Sequence, residues 1–214
     1  MGKNNFISLL KYIGIISFSA LVLYNSVYFT KLDVHQEVVV KQLDPVSYAQ
    51  KFWSGKFATA LDNAIEINSF IKMLRENSQQ TFDKYAHSQG IGDQYFFLVK
   101  GEAIVKKIGD EEVMLLLNSG EEEVPIFIST GVYFGNAVRD VTGLIHMGDF
   151  TNTMDFNSVS AELNKILQRS VILPFKSTVK MNTSVHFMGC IELNKAQKGV
   201  SRFELLPVSI HLNK

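Results

Sequence analysis

The residues best suited to chemistry lie in a glycine-punctuated segment, residues 131–152, with the sequence GVYFGNAVRDVTGLIHMGDFTN. An arginine there offers a fork of donors that can hold a carboxylate or a pair of sugar hydroxyls in a bidentate manner. Acidic and amide side chains follow it at short intervals. We therefore predict ligand or partner binding by Asn136, Arg139, Asp140, Asp149 and Asn152.

The same residues have a structural interpretation, which the sequence favours. Arg139 can form an internal ion pair with Asp140, with Asp149 or with a carbonyl, and so fix a long loop onto the body of the protein. Asp149 and Asn152 suit turn and cap positions ahead of a helix. Three glycines are predicted structural turns: Gly131 and Gly135 permit a bulge and a turn with positive φ, and Gly143 a second turn.

An enzyme is the alternative function, with Asp140, Asp149 or Glu102 as acid and base acting on a saccharide of the cell envelope. Such an enzyme needs two carboxyl groups facing an open cleft, about 5 to 9.5 Å apart. The sequence contains no G-x-S-x-G, H-E-x-x-H, P-loop or dinucleotide glycine pattern. We therefore predict no catalytic residue, no cofactor, and a non-catalytic binding or accessory module.

One predicted strand carries possible metal ligands. His186, Met188 and Cys190 alternate along it, share one face and are soft enough ligands for Cu(I). The opposite face is also apolar, so Met188 and Cys190 are better explained as core residues. No metal site is predicted, and a lone cysteine excludes an internal disulfide.

Helices are predicted between residues 44 and 89. Asp44 is a suitable N-cap, and Pro45 suits the first helical position. This helix ends at Gly55, a second helix carries an apolar stripe over residues 56–74, and a third covers residues 78–87.

Strands are predicted after residue 90. The strand-like runs are residues 95–107, 112–118, 124–134, 184–193 and 203–212. A helix over residues 158–169 separates the third run from the fourth, and we expect Val159, Leu163, Ile166 and Leu167 on its apolar face to close one end of a barrel. Three strands, a helix and two strands is the order of an OB-type barrel. The predicted fold class is α+β: an N-terminal transmembrane helix, a helical hairpin, then an OB-like five-stranded β-barrel with one helix between strands 3 and 4.

The N-terminal segment is apolar. Residues 12–29 carry no charge and are long enough to cross a hydrocarbon layer of about 30 Å. A cleaved signal peptide is the alternative, but the residues after Ala20 make a poor cleavage site. Lys3 and Lys11 precede the span, which predicts a single-pass protein in the inner membrane with its C-terminal domain in the periplasm or outside.

Four segments follow from these predictions: a signal anchor at residues 1–30, a juxtamembrane stalk or edge strand at 31–43, a helical segment at 44–89 and a barrel at 90–214. The 21 basic and 21 acidic residues give a formal net charge of zero. A neutral chain has no field with which to hold a phosphate backbone, so nucleic acid is not a predicted partner.

Residues 131–152, together with the helix FNSVSAELNK that follows, resemble the predicted periplasmic lipoproteins of domain-of-unknown-function family 2291. The resemblance extends to the Asp44-Pro45 pair with Trp53 downstream, to FLVKGE at residues 97–102, and to the strand around Phe187. It implies an envelope protein, often encoded beside sugar ABC transporters, so that transporter components or a small polar ligand are the implied partners. The apolar head lacks the lipobox cysteine of the family, and a protein anchor is expected to replace the lipid.

Overall fold

The computed structural model describes residues 3–26, 43–89, 92–118, 123–196 and 202–213. The chain divides into two compact units, Met1–Gln42 and Leu43–Lys214. In the first unit the structure describes one helix, α1 (Lys3–Ser26). The predicted stalk lies outside the described residues, except for Leu43 at its end.

The transmembrane span predicted for residues 12–29 is not confirmed. Within the described part of the chain, no helix combines the length and the apolar character needed to cross a membrane. Residues 27–29 of the predicted span lie outside the described residues.

The second unit contains the remaining described elements. Its helices are α2 (Pro45–Phe52), α3 (Ala58–Ala60), α4 (Ile67–Glu76), α5 (Ser78–Tyr85), α6 (Ala137–Asp140), α7 (Thr153–Leu167) and α8 (Leu173–Thr178). Its strands are β1 (Ile65–Glu66), β2 (Gln94–Ile108), β3 (Glu112–Asn118), β4 (Glu123–Ser129), β5 (Ser184–Asn194) and β6 (Phe203–Leu212). Two π-helical turns, Trp53–Phe57 and Gln168–Ile172, follow α2 and α7 directly.

The strands form a closed barrel. Their order in the sheet is β1-β2-β3-β4-β6-β5, and a further pairing of β2 with β5 closes the five strands from β2 to β6. Most neighbours are antiparallel, whereas β4 and β6 pair in parallel over Ile126–Ile128 and Phe203–Leu205. The strand order confirms the predicted α+β class and the OB-like barrel.

Two hydrophobic cores lie on the two sides of the barrel wall. Along β2, Phe97 and Val99 belong to the inner core of the barrel, whereas Phe96 and Leu98 belong to an outer core. Successive strand residues point to opposite faces, so a strand that is apolar throughout must be covered on both. Helices α2 and α7 cover the outer face of this wall.

The position predicted for the helix after the third barrel strand is wrong. Val159, Leu163 and Leu167 of α7 lie in the outer core, and Ile166 packs against it while half-buried. The helical residue of this region that enters the inner core is Phe175, from α8. The stripe of α7 removes the apolar outer faces of β2 and β5 from water, while Phe70 of α4 and Phe82 of α5 also enter the inner core.

Helix boundaries differ from the prediction at several points, and α7 begins at Thr153 rather than at residue 158. Gly55 lies within a π-helical turn and does not end the helix. The predicted second helix is interrupted at Ala64, because Ile65–Glu66 pairs in parallel with β2. Pro174 is the second residue of α8, directly after the second π-helical turn, so helical structure continues past residue 169.

Candidate functional site

The candidate site is the segment of residues 131–152, which connects the end of β4 to the start of α7. It contains α6 and a 3-10 turn, Met147–Asp149. Val138, Val141 and Ile145 are fully buried in the outer core. These side chains hold the segment against the barrel wall, so its polar residues occupy fixed positions.

Arg139 and Asp140 form a buried ion pair on α6. The distances are 2.6 Å from Arg139 Nε to Asp140 Oδ1 and 2.8 Å from Nη2 to Oδ2. Each side chain is only 3% exposed. The guanidinium carbon lies 3.5 Å from the ring centre of Phe156, in the first turn of α7. This stacked, bidentate pair confirms the predicted internal ion pair.

Gln89 completes the arrangement. Its Nε2 donates to Asp140 Oδ1 at 3.0 Å and to the carbonyl oxygen of Ile145 at 2.8 Å. Both oxygens of Asp140 are thus occupied. Arg139 Nη1 is buried and has no hydrogen-bond partner among the described residues. We call Gln89, Arg139, Asp140 and Phe156 the latch, because they join three parts of the chain.

The other predicted site residues make local hydrogen bonds. Asp149 Oδ2 accepts from the His146 N–H at 3.0 Å. Asn152 caps α7, with its Oδ1 accepting from the Asp155 N–H at 2.8 Å. Asn136 Oδ1 accepts from the Ser160 hydroxyl at 3.2 Å. The structure does not test whether these residues also bind a ligand or partner, and that role stays a prediction.

The carboxylates considered as acid and base have different surroundings. Asp140 is buried and paired with Arg139, whereas Asp149 is exposed and accepts a hydrogen bond within a surface turn. Glu102 lies on β2, where it is exposed and accepts a hydrogen bond from Asn213 Nδ2 at 2.9 Å. His186 Nε2 lies 3.7 Å from its other carboxylate oxygen. Asp140 therefore cannot face an open cleft while the latch is formed.

The glycines of the segment act in two ways. Gly143 has a φ of +63°, which confirms the turn predicted there. Gly131 and Gly135 do not have positive φ, so the φ-positive turn predicted for them is wrong. A Cβ on Gly135 would overlap the hydroxyl of Tyr133, so this glycine makes room for the Tyr133 ring.

Burial changes the pKa of several groups near the segment. It raises the pKa of Tyr133 above its ordinary range, and the phenol is therefore protonated at neutral pH. It likewise raises the pKa of the Cys190 thiol, so Cys190 is an unreactive core residue, as predicted. It lowers the pKa of His87, whose ring is neutral at pH 7. The described residues include no cluster of three potential metal ligands.

An apolar tip projects from the same segment. Phe134 is 90% exposed and Val132 is 69% exposed, whereas Tyr133 between them is half-buried. The alternation V-Y-F could have indicated this, because an extended chain that buries Tyr133 directs its neighbours outwards. The polar side chains of the segment predicted neither this tip nor the roles of Gln89 and Phe156 in the latch.

Comparison with known proteins identifies the family and the fold. The model of domain-of-unknown-function family 2291, described as predicted periplasmic lipoprotein, matches residues 17–211. No curated protein matches the chain. The chain is similar to the crystal structure of an OB-fold protein from Thermotoga maritima, with a TM-score of 0.71 and 23% identity, over 80% of this chain and 99% of that chain. An OBody bound to hen egg-white lysozyme aligns at a TM-score of 0.25 and 12% identity, over 55% of this chain and 79% of that chain, which is too low a score to indicate a shared fold.

Proposed function

Because this chain belongs to the predicted periplasmic lipoproteins of domain-of-unknown-function family 2291, we propose that it is an envelope protein that binds a partner protein and performs no catalysis. The observation that carries the proposal is the apolar tip of Val132 and Phe134 on a segment fixed by the latch. Aromatic residues are enriched at protein interfaces, where burial removes a large apolar area from water.

The latch supports this proposal because it prepares the segment for binding. A loop that is already ordered loses little conformational entropy when a partner docks. The buried ion pair of Arg139 and Asp140 lies on α6, and the Arg139 guanidinium packs on Phe156 of α7. The tip is thus presented on a rigid base.

A small polar ligand is the weaker alternative at this segment. Such a ligand needs free donors and acceptors, whereas the polar groups of Asp140, Asp149 and Asn152 are engaged with their neighbours. The same engagement weighs against acid and base roles for Asp140 and Asp149.

We propose a component of a sugar ABC transporter as the partner, on the strength of the family resemblance. We further propose that α1 attaches the chain to the inner membrane and that Leu43–Lys214 faces the periplasm. The large apolar side chains of α1 between Tyr12 and Tyr24 are exposed, with Ile16 at 67% and Phe18 at 70%. A membrane would remove them from water.

Site-specific photo-cross-linking of the full chain in its native membrane tests the partner. A benzophenone amino acid at position 132 should give one discrete adduct, and mass spectrometry should identify a transporter component in it. The matched control places the same probe at position 181, where Met181 is 57% exposed but distant in sequence from the tip. Equal adducts from both positions, or no adduct from position 132, would contradict the proposal.

A further inference from the structure

A groove on the second unit lies apart from the latch and the tip. It runs between β6 on one side and α8 with the second π-helical turn on the other, and has a volume of about 470 Å³. This volume is within the range of ligand sites in proteins. The residues used in the argument below are Trp53, Ser170, Pro174, Thr178, Ser209 and His211, all of which line it.

One wall of the groove is a strand edge that has no paired strand among the described residues. β4 pairs with β6 only as far as Leu205. From there to Leu212, the described pairing of β6 is with β5 alone. The hydrogen bond from the Asn213 N–H to the Ser184 carbonyl, just after the strand, also runs to the β5 side. Alternate residues of such a strand direct N–H and C=O groups away from their single neighbour, and residues 208–212 line the groove.

The opposite wall is built from both π-helical turns. Trp53 comes from the first turn and Ser170 from the second. The Trp53 ring stacks on Phe57, with ring centres 5.0 Å apart and planes inclined by 22°. π-Helical turns are rare and occur frequently at functional sites. Here two of them shape one groove.

The chemistry of the lining selects the kind of ligand. None of the described residues lining the groove is acidic, lysine or arginine, and His211 is the titratable side chain among them. The Ser170 hydroxyl donates to the Ile166 carbonyl, and the Thr178 hydroxyl donates to the Pro174 carbonyl. Ser209 Oγ and His211 Nε2 lie 3.1 Å apart. A sugar diol would find no carboxylate, amide or guanidinium fork there, whereas a peptide backbone would find the free edge of β6.

We propose that an uncharged peptide segment of a partner protein binds in this groove in an extended conformation, as an added strand on the free edge of β6. Main-chain hydrogen bonds to residues 208–212 provide the affinity, and an apolar side chain of the peptide packs on Trp53. A charged side chain is disfavoured, because the groove offers it no counter-charge. This inference uses a different surface from the tip and does not depend on the partner proposed above.

Selection of random dodecapeptides displayed on phage, against the full chain, tests the proposal. Enriched sequences should be uncharged, with apolar residues at alternate positions. Trp53 is the single tryptophan of the chain, so its fluorescence reports the groove directly. A synthetic enriched peptide should shift Trp53 emission to shorter wavelength, and proline at alternate positions of the peptide should abolish the shift by removing main-chain donors.

Variants of the groove complete the test. Thr178→Arg places a long charged side chain in the groove. It should lower the affinity for the peptide by at least about tenfold, which corresponds to about 1.4 kcal/mol. Ser177→Arg, on the same helix but outside the lining, should leave binding unchanged. The proposal is overturned if no peptide is enriched, if Thr178→Arg binds as well as Ser177→Arg, or if Trp53 responds to maltose and not to peptides.

Discussion

Arg139 and Asp140 are adjacent in sequence, and their side chains form a bidentate pair within one helical turn. Removing two charges from water costs several kcal/mol per ion, which the pair recovers only while both partners are present. The sequence predicted an internal ion pair of Arg139 but left open whether Asp140, Asp149 or a carbonyl is its partner. It did not indicate Gln89, which lies 51 residues from Asp140 in the chain.

Arg139→Leu should lower the free energy of unfolding by about 3 to 5 kcal/mol, since it leaves the Asp140 carboxylate buried without its partner. The double variant Arg139→Leu, Asp140→Leu should lose clearly less than Arg139→Leu alone, because both charges are gone. Urea unfolding of the three proteins measures this. Strictly additive losses would show that the two side chains are not coupled.

His87 should make stability depend on pH. Burial lowers its pKa in the folded protein, so the unfolded chain binds a proton more readily. Stability is therefore complete above the ordinary histidine pKa of about 6.5 and declines as the pH falls below it. His87→Asn should flatten the decline in unfolding free energy between about pH 7 and 5. An unchanged slope would mean that other groups cause the decline.

At the scale of elements, the strands were predictable and the layering of the helices was not. Alternating or continuous apolar runs bounded by turn residues marked all five barrel strands, within a few residues except at the end of β4. Periodicity shows that α7 has one apolar stripe, but not whether a barrel end or a barrel wall receives it. The position of α7 depends on Phe96 and Leu98 of β2, which face outwards and need a cover. Which face of β2 points outwards is known only once the closed barrel is known.

Leu163 tests the layering. It is fully buried, so Leu163→Ala should cost about 2 to 5 kcal/mol, whereas Lys165→Ala on the exposed face of α7 should cost little. Leu163→Ala should be non-additive with Phe52→Ala, which shares the outer core, and additive with Val113→Ala in the inner core. Denaturant unfolding of the single and double variants decides this. If Leu163→Ala is non-additive with Val113→Ala and additive with Phe52→Ala, α7 packs against the end of the barrel and not against its outer wall.

Gly143 and Gly148 form a matched pair within the candidate segment. Gly143 has a φ of +63°, and a Cβ there would lie 2.5 Å from His87 Nδ1, whereas a Cβ on Gly148 meets nothing within 4 Å. Gly143→Ala should therefore cost at least about 1 kcal/mol from its backbone conformation alone, and Gly148→Ala should be nearly neutral. Thermal unfolding compares them. Equal melting temperatures would show that the turn at Gly143 adapts to a side chain.

At the scale of the whole molecule, the barrel and its helices form a unit that carries both cores. Residues 43–214 without the preceding segment should fold and melt cooperatively, because the described core residues all lie within them. If α1 provides the attachment to the membrane, the shortened chain should leave the membrane fraction while the full chain stays in it. A shortened chain that still sediments with membranes would place the attachment elsewhere.

In our proposal the latch fixes a segment whose apolar tip binds a partner protein. The most direct test of this proposal is Phe134→Asp in the full chain, with the cross-linking residue at position 132 and thermal unfolding measured on the same protein. Because Phe134 is 90% exposed, the substitution should change the free energy of unfolding by no more than about 0.5 kcal/mol, and the melting temperature should hardly move. The cross-linked adduct should disappear. An adduct of undiminished yield, with the fold intact, would contradict the proposal.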